Sequence, residues 1–138
     1  MNLVDHVATK LFTARTLIDA GVVRTQRPDR LLRAGRALLR WGPTPAAGYA
    51  ASAARYPDEI GIVDDLGTLS FSRIHERTNA LADALAGRGI SEGDGVAVMA
   101  RNHRGFVEAT IALSKLGAHG LYLNTAFAGP QITDVCRR

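Results

Sequence analysis

The chain contains 138 residues, of which 46% are hydrophobic and 22% are charged, and it carries a formal net charge of +4. That length fits one domain, or one domain with an appendage, and the composition argues against wholesale disorder, collagen and coiled coil. A single cysteine, Cys136, excludes an intrachain disulfide and a cysteine-based zinc cluster, and it fits a reducing compartment.

The positive charge is concentrated near the N-terminus. Residues 1–42 contain eight basic and three acidic side chains, whereas residues 43–138 contain nine basic and ten acidic ones. A nucleic-acid-binding domain needs a basic face on its folded body, so we expect no nucleic acid among the partners. No apolar run reaches the length of a signal peptide or of a membrane span, and we therefore expect a cytoplasmic protein.

Two helices are predicted in the first 42 residues. The first covers residues 2–20, where apolar side chains recur at seven-residue intervals before Gly21. The second covers residues 29–41, where two faces separate at helical spacing. The arginine face consists of Arg30, Arg33, Arg36 and Arg40. The leucine face consists of Leu31, Leu32, Leu38 and Leu39, with Trp41 beside it.

The segment 29–41 admits two interpretations. As a basic amphipathic helix it would contact an anionic membrane at its surface, or an acidic partner. As an ordinary surface helix it would pack its leucines on the body and leave its arginines in solvent. The sequence leaves both open.

Past residue 42 the pattern changes. Gly42-Pro43-Thr44-Pro45 predicts a boundary with an extended link, because two prolines in four residues prevent helix continuation. A helix is predicted over residues 46–55. A β-hairpin follows, with strands at 60–63 and 68–71 and a turn at 64–67.

The remainder alternates helices and strands, which predicts a parallel sheet of the α/β class. The predicted elements are helix 72–87, strand 96–99, helix 104–116, strand 121–123 and helix 131–138. The predicted inner faces are Ile74, Leu81, Ala82 and Leu85 in the first helix, and Phe106, Ile111, Leu113 and Leu116 in the second. Both strands are apolar throughout, so we expect them to be buried.

The residues that could carry chemistry form no recognisable site. His6, His75, His103 and His119 do not pair at the spacing that puts two imidazoles on one helical face. The glycine-rich segment 87–93 leads into a strand and is interpreted as a turn. The acid pairs at 58–59 and 64–65 are interpreted as solvated turn formers. We predict no catalytic, cofactor-binding or metal-ligating residue in this chain.

A series of short blocks runs from about Ala46 onward. They are Tyr56-Pro57-Asp58 with the run 60–63, Ser70 to Ile74, Asn79 with Ala82 and Leu85, Gly93 to Ala97, Arg101 to Phe106, and Leu123 to Gln131. In this order and spacing they resemble the start of the adenylate-forming acyl-CoA synthetase (AMP-binding) family, and within it the bacterial long-chain fatty-acid–CoA ligases. In one block Ser70 can cap the next helix, but Arg73 cannot complete the family's capping box.

The resemblance implies the opening part of the large domain of the adenylate-forming fold: N-terminal helices, a hairpin, then strand-helix-strand-helix. It implies a fatty-acid–CoA ligase, which uses ATP with magnesium to convert a fatty acid to an acyl-adenylate and then to a CoA thioester. The family's phosphate loop, magnesium-binding acid and catalytic lysine match no position here. We therefore expect residues 1–42 to be a basic helical extension and residues 43–138 to be a truncated N-terminal portion of the AMP-binding domain, inactive alone.

Two further expectations concern partners. A non-enzymatic interaction module that uses residues 29–41 on a membrane or an acidic partner remains the alternative function. Because the predicted parallel sheet ends after one short helix, it should keep an open edge and an uncovered apolar face, which is a route to self-association.

Overall fold

The computed structural model describes residues 27–137 together with Phe12, Arg15 and Thr16. The helix predicted over residues 2–20 otherwise lies outside the described residues. Along residues 27–137 the elements follow in a simple order. They are α1 (Pro28–Trp41), α2 (Pro45–Arg55), β1 (Ile60–Asp64), β2 (Gly67–Ser70), α3 (Phe71–Ala86), β3 (Gly95–Val98), α4 (Arg104–Leu116), β4 (His119–Tyr122) and α5 (Gly129–Cys136).

The predicted elements from residue 28 onward are confirmed, with small shifts at their ends. Helix α1 begins at Pro28 and ends before Gly42, whose φ of 60° few other residues adopt. Helix α4 ends before Gly117 in the left-handed conformation. The capping prediction for α3 is also confirmed, because the Ser70 hydroxyl oxygen accepts the Arg73 backbone N–H at 3.3 Å.

The strands form two separate pairs in the described part of the chain. Strands β1 and β2 make the predicted antiparallel hairpin, in which Ile62 lies opposite Leu69. Strands β3 and β4 pair in parallel, with Val96 opposite Gly120, and helix α4 crosses between them. The prediction of an α/β architecture with a parallel pair is confirmed.

The core lies between the hairpin and helices α2, α3 and α4. Leu69, Ile74 and Ile111 are buried at its centre. Partly buried side chains pack around them from α2, β1, α3 and α4, namely Tyr49, Ile62, Phe71 and Val107. Of the predicted inner faces, Ile74 and Ile111 lie in this core, and Ala82 and Leu113 are also buried.

Helix α1 packs on the body through a stripe that the sequence pattern did not single out. Its buried residues are Ala34 and Ala37, which lie against the alanine-rich helix α2. The leucine face stays in solvent, with Leu32 67% and Leu39 89% exposed. Of the two interpretations of segment 29–41, the one in which the leucines pack on the body is therefore wrong. Small alanines let the two helices approach along a different side.

The expectation that β3 and β4 are buried is wrong, whereas the expectation that this pair keeps an uncovered apolar face agrees with the structure. Along β3 half-buried and exposed residues alternate, and on β4 Leu121 and Tyr122 are 44% and 53% exposed. The reason is that α4 covers one face of this pair, whereas no other described strand or helix packs on its opposite face.

We propose that this sheet drives self-association. A two-stranded parallel pair with exposed apolar residues is marginal by itself, and its free edges can pair with another chain. The purified chain should therefore form species larger than a monomer in light scattering. Replacing Leu121→Lys should reduce the association, whereas Leu66→Lys in the exposed hairpin turn should not. A monomer that unfolds cooperatively above about 60 °C would contradict the proposal.

Candidate functional site

The hairpin and α4 are joined by a charged contact at the first residue of α4. The Asp64 carboxylate accepts the Arg104 backbone N–H at 2.9 Å and the Arg104 Nε–H at 3.0 Å, and it also binds the terminal guanidinium nitrogen. That nitrogen donates in addition to the Gly67 carbonyl at 3.1 Å. The two side chains are only 10% and 13% exposed. Asp64 does form the turn, because it accepts the Leu66 N–H at 3.0 Å, but the interpretation that it is solvated is wrong.

The ionisation of this pair follows from its hydrogen bonds. Side-chain hydrogen bonds from Arg104, and then the Arg104 backbone N–H, hold the pKa of Asp64 well below its usual range. The same side-chain bonds to Asp64 raise the pKa of Arg104. Both groups are charged at neutral pH, so the contact acts as a structural clamp and not as a source of protons.

A second ion pair joins α3 to α4. Arg77 donates from Nε to Glu108 Oε1, and from a terminal guanidinium nitrogen to Glu108 Oε2 at 3.0 Å. Glu108 is buried. Sequence reasoning missed this pair. A signal was present, because Glu108 lies on the same helical face as Ile111 and Ala112, where a carboxylate needs a partner.

Lys115 forms a third polar cluster between the same helices. Its ammonium donates to Thr78 Oγ1 at 2.7 Å, to Asn79 Oδ1 at 2.6 Å and to the His75 carbonyl at 3.3 Å. Burial lowers the pKa of Lys115 to about 8. Burial also lowers the pKa of His75, and the Lys115 charge adds to this effect. His75 is therefore neutral at physiological pH.

The segments that follow β3 and β4 lie at one edge of the parallel pair. In α/β proteins ligands bind outside the carboxyl ends of parallel strands, so this edge is the candidate functional site. Leu123 N–H donates to the Val98 carbonyl at 3.0 Å, and the rings of Phe106 and Tyr122 lie 5.3 Å apart. Two blocks from the sequence analysis, Arg101 to Phe106 and Leu123 to Gln131, thus follow neighbouring strands at the same edge of the pair.

The polar side chains at this edge form hydrogen bonds to nearby backbone N–H groups. His103 Nδ1 accepts the Gly105 N–H at 2.9 Å and so caps α4. Asn124 Oδ1 accepts the Ala126 N–H at 2.9 Å. A depression of about 280 Å³ adjoins this edge, between β1 and the start of α4. These groups can orient a polar ligand, but they include no pair of carboxylates for acid–base chemistry.

The remaining candidates for chemistry occupy separate places. His75, His103 and His119 lie on α3, at the start of α4 and at the start of β4, and His6 is outside the described residues. Within the described residues no group of three or more His, Cys, Asp and Glu could hold a metal ion. The interpretation of segment 87–93 as a turn is confirmed: Gly89 and Gly93 have positive φ, and the chain continues into β3.

Comparison with protein families and curated proteins gives a consistent match. The model of the family described as "AMP-binding enzyme" matches residues 49–138. Pyochelin synthase PchD of Pseudomonas aeruginosa is 36% identical over 92 residues, which cover 67% of this chain and 17% of that protein. The chain thus spans about a sixth of the length of this relative.

Comparison with solved structures identifies the same fold. The N-terminal subdomain of Klebsiella oxytoca NpsA aligns with a TM-score of 0.64 at 22% identity, covering 68% of this chain and 25% of that one. A fatty acyl CoA synthetase of Mycobacterium tuberculosis aligns with a TM-score of 0.64 at 24% identity, covering 72% of this chain and 20% of that one. At these identities the likeness concerns the fold alone.

The depressed pKa of Lys115 predicts a pH dependence of stability. Between about pH 8 and 10.5 the unfolded chain binds a proton that the folded chain has released, so the free energy of unfolding should rise with pH in this window. Because the side chain is only partly buried, we expect a rise of about 1–2 kcal/mol. Urea unfolding at a series of pH values measures it.

The Lys115→Met variant is the control for this titration. Its residue 115 carries no charge at any pH, so the rise should be absent, whereas tyrosine ionisation affects both proteins alike. Equal slopes in the parent and the variant between pH 8 and 10.5 would show that Lys115 titrates normally in the fold.

Proposed function

Since the chain belongs to the AMP-binding enzyme family, we propose that it forms the N-terminal portion of an adenylate-forming ligase. The observation that carries the proposal is the family match over residues 49–138, together with a fold that matches the N-terminal part of these enzymes. In the proposed reaction a carboxylic acid displaces pyrophosphate from ATP to form an acyl-adenylate, and the thiol of CoA then displaces AMP.

A fatty acid is the proposed carboxylic acid. Its support is that the blocks Arg101 to Phe106 and Leu123 to Gln131 resemble the fatty-acid branch of the family. Both blocks follow the carboxyl ends of the paired strands β3 and β4. The relatives by name include both a pyochelin synthase and a fatty acyl CoA synthetase, so family membership leaves the acid open.

At the carboxyl edge of β3 and β4 and in the glycine-rich segment, the described residues do not fit the phosphates of ATP or a magnesium ion. The glycine-rich segment 87–93 enters a strand, so its amides do not lead into a helix N-terminus that could hold phosphate. No carboxylate cluster suited to a metal occurs in residues 27–137. We assign both functions, and the catalytic lysine, to residues outside this chain.

The same proposal assigns different roles to residues 43–138 and residues 1–42. Residues 43–138 would supply the start of the sheet and its carboxyl edge. Residues 1–42 would be an extension, and its helix α1 is joined to the body, because Arg30 donates to the Arg55 carbonyl at 2.9 Å and Trp41 Nε1 donates to the Lys115 carbonyl at 3.3 Å.

The isolated chain should not bind ATP at the carboxyl edge of β3 and β4, and it should not release pyrophosphate. The reason is the lack of a phosphate loop and of a catalytic lysine in positions that match the family. With ATP, magnesium and a panel of fatty acids, pyrophosphate release should not exceed that of a heat-killed control. A protein that contains this chain followed by its downstream sequence should release pyrophosphate in an acid-dependent manner. Turnover by the 138-residue chain itself would overturn the proposal.

A second candidate function is contact with an anionic lipid surface through α1. The protein is proposed to lie in the cytoplasm and to contact the membrane at its surface. The observation in its favour is the exposed leucine face, with Leu31 and Leu38 50% and 52% exposed. The same helix carries four arginines and one aspartate, and this charge complements anionic headgroups. None of the helices in the described part of the chain is long and apolar enough to cross a membrane.

Two variants of α1 test the lipid contact on anionic vesicles. Replacing Leu38 and Leu39 with Gln should lower partitioning at least tenfold, since burying a leucine contributes about 1.5–3 kcal/mol. Replacing Arg33, Arg36 and Arg40 with Gln, or adding salt, should also weaken it. Leu66→Gln is the matched control, because Leu66 is 77% exposed and lies in the hairpin turn. Equal partitioning of all variants would refute the contact.

A further inference from the structure

A cleft of about 430 Å³ lies between α1, α2 and the first turns of α3. Arg33, Arg36 and Arg40 line it from α1 together with Trp41, and α2 contributes three alanine side chains. Small-molecule sites in proteins typically enclose about 300–1,000 Å³, with a mostly apolar lining and a few convergent polar groups. The cleft has both the size and the mixture of surfaces of such a site.

The cleft carries positive charge that the described residues do not neutralise. Arg33 is paired with Asp29 at 2.8 Å, whereas none of the ion pairs among the described residues includes Arg36 or Arg40. The guanidinium of Arg40 lies over the Trp41 ring at 4.8 Å, which orients it. Two guanidiniums, one helical turn apart, are therefore available to one anion.

The wall formed by α3 adds little charge. Glu76 lines the cleft, but its carboxylate is engaged by Arg73 at 3.0 Å. His75 also lines the cleft, and its Nδ1 is buried with no hydrogen-bond partner among the described residues. A buried polar atom without a hydrogen-bond partner is uncommon in proteins. His75 Nδ1 is therefore a polar atom at the cleft wall that a ligand could contact.

The α1 wall of the cleft lies outside the part of the chain that matches the family, whereas the α2 and α3 walls lie within it. Helix α1 precedes residues 49–138, so Arg36, Arg40 and Trp41 lie outside the matched segment. The arginine face would be solvated on a free helix, but the packing of Ala34 and Ala37 on α2 turns three of its four arginines toward α3.

We propose that this cleft binds a small organic phosphate. The guanidiniums of Arg36 and Arg40 form no ion pair with another described residue. Together they match the two negative charges of a phosphate monoester, and each can donate two parallel hydrogen bonds to its oxygens. A carboxylate carries one charge and matches less well. The alanines and the Trp41 ring would hold the apolar part of the ligand. This binding is independent of the proposed adenylation chemistry.

Trp41 is the only tryptophan in the chain, so its fluorescence reports on the cleft directly. Phenyl phosphate, as an aromatic monoester, and octyl phosphate below its micelle concentration, as a lipid-like one, are the probes for the 138-residue chain. Both should cause a saturable change, and their relative affinities distinguish an aromatic from a lipid-derived ligand. Phenol and phenylacetate, which have a similar size but less charge, should bind at least tenfold more weakly.

Variants of the cleft are measured by calorimetry, because Arg40→Gln changes the surroundings of Trp41 by itself. Arg36→Gln and Arg40→Gln should each weaken phenyl phosphate binding about tenfold, a loss typical of one charge-assisted contact. Arg36→Lys should keep part of the affinity because it keeps the charge. Arg88→Gln is the matched control, because Arg88 is exposed and lies outside the cleft.

Three results would overturn the proposal. The first is that neither phosphate shows saturable binding up to about 10 mM, a concentration beyond the weakest useful affinity. The second is that phenyl phosphate and phenol bind with equal affinity. The third is that the Arg36→Gln variant binds phenyl phosphate with unchanged affinity while its thermal transition is also unchanged. Binding that is lost in the Leu38→Gln, Leu39→Gln double variant would place the ligand on the leucine face, which also contradicts it.

Discussion

The contact between Asp64 and Arg104 fixes how the β1–β2 hairpin meets helix α4. Asp64 ends β1, and Arg104 begins α4, so one carboxylate closes the hairpin, caps the helix and binds a guanidinium. A helix N-terminus leaves backbone N–H groups without partners, and a negative charge there is favourable. The hairpin therefore determines where α4 starts, and α4 in turn carries the chain from β3 to β4. The carboxyl edge of the parallel pair depends on this arrangement.

Helix α4 is the element around which the other polar contacts are organised. It is joined to the hairpin through Arg104, to α3 through Glu108 and Lys115, and to α1 through the Lys115 carbonyl. Partly buried charges contribute little net stability, but removing one partner leaves the other uncompensated. Such contacts specify one packing of the helices over alternatives that bury the same apolar area. That specificity matters here because the apolar core is small.

In helix α1 the face that is buried differs from the face that the amphipathic pattern predicts. An arginine face opposite a leucine face suggests a helix that buries its leucines. In the structure the alanine stripe between the two faces makes the contact, and both faces are left available. The arginines then line a cleft against α3, while the leucines point to solvent. The arginines are proposed to serve both the lipid contact and the binding of an organic phosphate, whereas the leucines serve the lipid contact alone. Substitution of the leucines therefore separates the two.

The sequence by itself determined the elements of residues 28–137, their order and the parallel pairing, because periodicity, glycines and prolines act locally. The capping role of Ser70 and the turn at 87–93 were predictable for the same reason. Only the tertiary structure decided that Asp64 is buried against a residue 40 positions away, and that Glu108 pairs with a residue 31 positions away. It also decided which face of α1 is buried. These outcomes depend on which surfaces meet, and a local pattern carries no information about the partner on the other side of a contact.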